Sequence, residues 1–431
     1  MKDPYDLDLT TARPDTAAAY ATFAADWIGY GPKVRSIFAA ADADPDCALV
    51  NAHAAAVHMA LESATGFRKA RAYLTRARKA ARDATSREQA FVKAVHTWWR
   101  GDTQGTLKQL RAIAAEHPND IVTAKWAQYH AFNHGNAEAM LDIATRLMPA
   151  HRMTAGAWSM LAFGHEQMRD LPRAEEAARR ALSLNRGDPW AQHALAHVME
   201  TQGRIDEGVA FLTDYAHTWA DRSIFVREHN YWHLAVFHLE RAEHARALDI
   251  FDKHLWGEWP EFAQEQVGAI SALWRMEMRG VDVGERWDPV VAKVQERWHE
   301  HILPFLDMHF VYALARGGRA RESREFLVSM IRHGEKDVTG IWESIAIPMA
   351  ESLIAYAERR YASADDLIGP VLPRLHLAGG SHAQRDVFVQ TWIDASVRAG
   401  HHSAVADVLH TRARAKPKEA ERLMQLVTMA A

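Results

Sequence analysis

The 431-residue sequence predicts an all-α fold of stacked helical hairpins, on three observations. Apolar residues recur at helical rather than alternating spacing along nearly the whole chain. Small residues return at intervals of roughly 34, the length of one helix–turn–helix repeat. Gly and Pro fall mostly where one periodic segment gives way to the next, as helix ends require. A single hairpin cannot bury its own apolar face, so its neighbours must stack on it into a continuous right-handed solenoid.

The clearest unit covers residues 157–188. Trp158, Leu161 and Ala162 share one face of a first helix, Arg169 and Asp170 form the turn, and Ala174, Ala178, Ala181 and Leu182 line a second helix. Small residues where the helices cross and large ones toward the next hairpin make the tetratricopeptide pattern, with His165 where that pattern favours Tyr. The small residue of the second helix sets a register through Ala70, Thr106, Ala139, Ala174, Gly208, Ala247, Ser323, Ala364 and Ala404. The long interval between Ala247 and Ser323 holds one further hairpin, over 261–279 and 285–300. About ten hairpins result. Gly66, Gly101, Gly135, Gly203, Gly317, Gly318 and Gly400 are expected in turns, and residues 31–45 and 375–381 read as short loops. The expected organisation is one continuous domain over 1–431, with a cap region over 1–45, repeats over 46–410 and a C-terminal capping helix over 411–431.

Composition narrows the function. Fifty-one Lys and Arg against 55 Asp and Glu leave a net charge of −4, which argues against nucleic acid or a membrane surface as partner. The single cysteine, Cys47, excludes an internal disulfide and a Cys-rich metal site, and fits a reducing compartment. The N-terminus lacks an apolar signal core and no long apolar run follows, so the expected location is cytoplasmic. Nucleophile-elbow, dinucleotide, phosphate-loop and EF-hand patterns are missing, and no cofactor is indicated.

Polar chemistry gathers in the middle of the chain. Residues 190–240 hold His193, His197, His217, His229, His233 and His238. On the first helix of one hairpin, Leu195 and Ala196 take the packing positions. His193, His197 and Glu200 then share another stripe at i, i+4 and i+7, expected to face the groove. One hairpin later, His229 and His233 repeat the spacing beside Asn230 and Trp232. Three readings compete for this set: a hydrogen-bonded polar groove that can hold one ligand, acid–base catalysis by His197, Glu200 and His233, and a metal site of His193, His197, His229 and His233. The zincin motif is excluded, because no Glu directly follows either His. Further along, Asp307 and His309 open a first helix, where Asp307 is equally well a helix cap. Gly379 and Gly380 lead into another helix, with backbone N–H groups that could hold an anion, and Arg385 could clamp a carboxylate or pair with Asp386. The tryptophans, and His53, His58, His96, His130 and His134, read as packing residues.

These stretches resemble the tetratricopeptide repeat protein 38 family. The likeness is carried by His193, Ala196, His197 and Glu200, by the run from His229 to His233, and by His301, Ile302, Asp307, His309 and Phe310. Gly280, Val281, Gly284, Arg286 and Trp287 belong to it too, as do Gly379, Gly380, Ser381, Ala383, Gln384, Arg385, Asp386, Val387 and Phe388. It covers nearly the whole chain, most weakly the first 80 or so residues, and departs at His382, where the family pattern has Asn. The resemblance implies a helical-repeat fold and aligns the three polar clusters, but names no activity or cofactor.

The resulting expectation is a helical-repeat protein whose channel binds a small molecule or short peptide end through His193, His197, Glu200, His229, Asn230, Trp232, His233, Asp307, His309 and Arg385. An enzyme using the same residues is the alternative, and a protein-interaction scaffold the third. A homo-oligomer is left open.

Overall fold

A computed structural model describes residues 1–297, 299–415 and 421. Two helices, α1 (Pro14–Gly29) and α2 (Ser36–Ala43), come first. Hairpins follow: α3 (Ala48–Met59) with α4 (Ala64–Ala80), α5 (Ser86–Trp99) with α6 (Thr103–Glu116), α7 (Ile121–Asn133) with α8 (Ala137–His151), and α9 (Ala155–Gln167) with α10 (Leu171–Leu184). Next are α11 (Pro189–Thr201) with α12 (Ile205–Tyr215), α13 (Ile224–Glu240) with α14 (His244–Ile250), and α15 (Ala263–Met278) with α16 (Trp287–Gln295). The last are α17 (Pro304–Arg316) with α18 (Ala320–Gly334), α19 (Ile347–Ala357) with α20 (Tyr361–Ile368), and α21 (His382–Ala399) with α22 (His402–Ala415). The only β pairing among the described residues is an isolated bridge from Lys2 to Asp8. The chain is an all-α, tetratricopeptide-like solenoid protein.

The small-residue register lands where it should. Ala70, Thr106, Ala139, Ala174, Gly208, Ala247, Ser323 and Ala364 each lie on a second helix and are buried, and Ala404 lies in α22. Gly208 shows why the position is small: a Cβ there would run into the ring of Phe237. Gly208→Ala should therefore overpack this crossing and cost about 1–3 kcal/mol, read as a lower urea midpoint at unchanged m-value.

Turns are closed by side chains. Asp102, Asp120, Asn136 and Asp170 each accept the N–H of the third residue of the helix that follows, and Thr85 with Glu88 forms a full capping box. Three sequence expectations change. Gly66 lies inside the first turn of α4, whose cap is Ser63, rather than in a turn. Residues 31–45 hold a 3₁₀ turn and α2 rather than a loop, since Ile37, Ala40 and Ala41 supply a buried face. Most of 375–381 is the end of a 3₁₀ segment, Leu372–Ala378, and only Gly379 and Gly380 take positive φ. The expected capping helix over 411–431 begins inside α22, and the remainder, apart from residue 421, lies outside the described residues.

The chain divides into two compact units. The first comprises Met1–Val198 and Tyr215–Arg227. Its core includes Phe23, Phe91, Trp98 and Trp126, with Trp27 stacked on Trp126 at 4.0 Å. Arg87 ties the N-terminal segment down, donating to Asp120 and to the carbonyl of Asp8, each at 2.7 Å. The end of α1 is held by Lys125, which donates to the carbonyls of Trp27 and Ile28 and lies over the ring of Tyr30. Burial keeps the Lys125 amine well below its ordinary pKa. Tyr30, left-handed at φ 54°, accepts the N–H of Ser223 at 2.7 Å.

The second unit comprises Met199–Asp214 and Glu228–Ala431. Trp274 stacks on Tyr312 at 3.7 Å and meets Phe388 edge-on at 5.7 Å. A buried ion pair joins Arg279 of α15 to Glu240 of α13 at 2.5 Å.

Candidate functional site

In the first unit, α9 and α11 build a chain of three buried polar side chains. Glu166 Oε1 lies 3.3 Å from His197 Nδ1, and His197 Nε2 lies 3.0 Å from His193 Nε2. The i, i+4 spacing on α11 brings the two rings together. Two facing ring nitrogens at that separation must share one proton. With His197 Nδ1–H directed at Glu166, His197 Nε2 accepts and His193 Nε2–H donates. Gln167 donates to the other Glu166 oxygen. Trp190 stacks on His193 at 4.2 Å and Tyr30 on Trp190 at 4.9 Å, so aromatic faces wall the chain. A carboxylate behind two imidazoles in series can pass a proton along its length. The contrast between a polar stripe and a packing stripe does not appear as exposed against buried, because residues 191–200 are all buried.

In the second unit, Glu200 Oε2 stands 3.7 Å from His233 Nδ1, an ion-pair distance rather than a hydrogen bond. His229 lies parallel to Trp232, with centroids 5.6 Å apart, and edge-on to His233 at 4.9 Å. Asn230 is fully buried. The guanidinium of Arg275, from α15, sits 5.0 Å from the Trp232 ring centroid. Arg275 donates to Ser271 and to the Ala383 carbonyl at the start of α21, so α13, α15 and α21 meet at this one side chain.

His309, on α17, borders α15 and α21 through Trp274 and Phe388. It touches Phe305 at 4.6 Å and Phe388 at 5.2 Å, and its Nδ1–H donates to the Phe305 carbonyl at 2.8 Å. Burial, helped by the positive charge of Arg275, pushes its pKa down to about 4, so the ring is neutral and Nε2 is an acceptor. Among the described residues, neither His309 Nε2 nor the indole N–H of Trp232 has a hydrogen-bond partner, although both side chains are buried. Buried polar atoms left so are uncommon and costly.

Two expected site residues are engaged elsewhere. Asp307 is not a helix cap: Leu303 occupies the cap of α17, and Asp307 holds His301 at 2.5 Å. Arg385 donates to the carbonyls of Gly379 and Gly380 and contacts His382 Nδ1 at 3.2 Å. Asp386 pairs with Arg412 at 2.6 Å. The double-glycine loop thus turns carbonyls toward Arg385, while the N–H groups of Ser381 and Gln384 are taken by a capping box. Sequence reasoning missed Glu166, Arg275 and the link from His301 to Asp307. Glu166 lies one residue past His165, a position already out of pattern; Arg275 gave no signal, being one of many arginines on helical segments.

These features define an all-α helical-repeat protein with buried, histidine-rich polar clusters. No family model matches the chain. Among solved structures it is similar to a monomeric mutant of IFIT1 with Gppp-AAAA, at 13% identity over 89% of this chain and 90% of that one, TM-score 0.43. It is also similar to a human IFIT1 dimer with PPP-AAAA, at 12% identity over 85% and 87%, TM-score 0.42. A third similar structure, MamA, matches at 16% identity over 43% of this chain and 96% of its own, TM-score 0.30. Agreement at this level says nothing about a ligand. No helix among the described residues is long and apolar enough to cross a membrane.

Proposed function

We propose that the chain is a cytoplasmic helical-repeat protein that binds a small, partly polar molecule or a short peptide end, and that it belongs with the tetratricopeptide repeat protein 38 family its motifs resemble. The observation that carries this reading is the pair of buried, unpartnered atoms in the second unit. Trp232 offers an N–H and His309 a lone pair, beside the cation of Arg275. A ligand carrying an acceptor and a donor would satisfy both and remove the desolvation penalty each now bears. Glu200, His229, Asn230 and His233 complete the polar wall, and Arg385 supports it by fixing the double-glycine loop. Asp307 is left out of this binding set, because its carboxylate is committed to His301.

The enzyme reading is favoured by a different observation, the Glu166–His197–His193 chain, which has the form of a proton relay. It names His197 as the group through which the proton moves.

Denaturing purified protein and analysing the extract by mass spectrometry should release one small molecule in near-stoichiometric amount. Trp232→Phe keeps the ring but removes the N–H, and should retain little of it. A ligand held at 100 times its Kd would add about 2.7 kcal/mol of stability, so loaded protein should melt above stripped protein. Recovery of no molecule from wild-type protein, with identical melting of both samples, would overturn the binding reading. One equivalent of zinc by elemental analysis would instead favour a metal-binding role for the buried histidines.

A further inference from the structure

We propose that Ser329, His301 and Asp307 form a nucleophilic serine centre that hydrolyses small carboxylic esters, separate from the ligand set above. The three residues come from the segment before α17, from the first turns of α17, and from α18. Asp307 Oδ2 lies 2.5 Å from His301 Nδ1, and His301 Nε2 lies 2.7 Å from Ser329 Oγ. Carboxylate, imidazole and hydroxyl thus stand in series, each within hydrogen-bond reach of the next. The carboxylate fixes the proton of His301 on Nδ1, which leaves the Nε2 lone pair facing the hydroxyl, as a general base requires.

Burial is graded along the series. Asp307 and His301 are buried, whereas Ser329 is partly exposed, so the hydroxyl is the member that solvent and substrate reach. The ring of His301 is boxed by Phe326 at 5.4 Å, His333 at 5.3 Å and Trp342 at 5.8 Å. Its backbone is left-handed, φ 45°, a conformation that a non-glycine residue keeps only where its surroundings impose it, and such residues cluster at functional sites. The exposed His299 places Nδ1 3.3 Å from Ser329 Oγ, where its N–H can face a developing oxyanion.

The step balances without a cofactor. Ser329 Oγ bonds to the ester carbonyl carbon as its proton passes to His301 Nε2. The carbon–oxygen bond to the alcohol then breaks, and the alcohol leaves with that proton. Water attacks the acyl-serine, gives its proton to His301, and the serine–acyl bond breaks to release the acid and restore the hydroxyl. Asp307 is a positioning residue, acting through His301.

The full-length chain is treated with an alkyl fluorophosphonate, which forms a serine–phosphorus bond and expels fluoride, and is assayed with p-nitrophenyl butyrate. Expected is one phosphonyl group on the peptide containing Ser329, none in Ser329→Ala, and labelling slowed by about 100-fold or more in His301→Gln. Asp307→Asn should lower kcat with KM unchanged and alter the pH–rate profile, against a background of charges from Arg297, Glu300, His299 and His333. A hydrogen-bonded series with a purely structural role would leave kcat and that profile untouched. Ser329→Ala takes the hydroxyl partner from His301 Nε2 and should melt only modestly below wild type, so it stays folded and decides the matter even where His301→Gln does not fold. An unlabelled Ser329 in folded wild-type protein, or ester hydrolysis by Ser329→Ala at the wild-type rate, overturns the proposal.

Discussion

Acidification from pH 7 to 4.5 should cost the folded protein several kcal/mol, because buried imidazoles stay neutral in the native chain and charge when it unfolds. Burial pushes His130 down to about 3 and His309 to about 4, and holds His53 well below its ordinary value. An unfolded histidine takes up its proton near pH 6.5. Between 6.5 and each folded pKa the unfolded chain therefore binds more protons, and stability falls as pH falls. At pH 4.5 this amounts to about 2–3 kcal/mol for His130 and for His309. Buried Asp3, Asp188 and Asp307 act the other way. Burial raises their pKa values, so the native form holds on to protons that the unfolded form releases, and their contribution is lost as pH rises. These carboxyls act from about pH 4 up to their folded values and so offset part of the loss, but the buried imidazoles of His53, His58, His130, His134, His151 and His309 outnumber them and should set its sign. Urea midpoints at pH 7.5 and 4.5 measure the difference, and His130→Gln should remove about a third to a half of it. A pH-independent midpoint would contradict buried neutral imidazoles.

Replacing Arg87 with Ala should cost about 3–5 kcal/mol, the effect of leaving one member of a buried ion pair without its partner. The side chains of Arg87 and Asp120 are almost fully buried, and Asp120 also caps α7 through the N–H of Thr123. Arg87 further holds the Asp8 carbonyl and lies 3.8 Å from Asp3, so its loss also frees the N-terminal segment. Arg87→Lys should recover little, since an ammonium cannot reproduce the planar fork that serves two acceptors at once. The expected signature is a lower urea midpoint with early proteolytic cleavage within residues 1–12. Wild-type stability in Arg87→Ala would show that Asp120 is satisfied by its cap bonds alone.

The fold was legible because repeat architecture writes itself into spacing. Each small residue from Ala70 to Ala364 marks a helix crossing, and the Gly208 crossing shows the steric reason. The site was legible only in part. His193 with His197, and His229 with His233, could be read because both members lie on one helix, one turn apart. Glu166, Arg275, and Ser329 with His301 could not, because each partner comes from another segment, and nothing local distinguishes a helical Arg that is buried from one in solvent. Asp307 was found for the wrong reason. An acidic residue in a helix's first turn looks like a cap, and only its contact with His301 reveals a different duty.

The bond from Ser223 to the carbonyl of Tyr30, reinforced by the reach of Arg222 across 193 residues to Gly29, bears on how the first unit comes to be folded at all. A stack of hairpins can grow from any point, each hairpin needing only its neighbour, and such local topologies fold fast. Here the first helix is engaged by a segment made after the fifth repeat hairpin, and that contact must wait until the intervening chain has closed its loop, at an entropic cost that grows with loop length. During synthesis α1 would leave the ribosome long before the residues that hold its end. Until they arrive, Tyr30 and its neighbours would remain without that support, and the unit would lock only when the last of its segments is made.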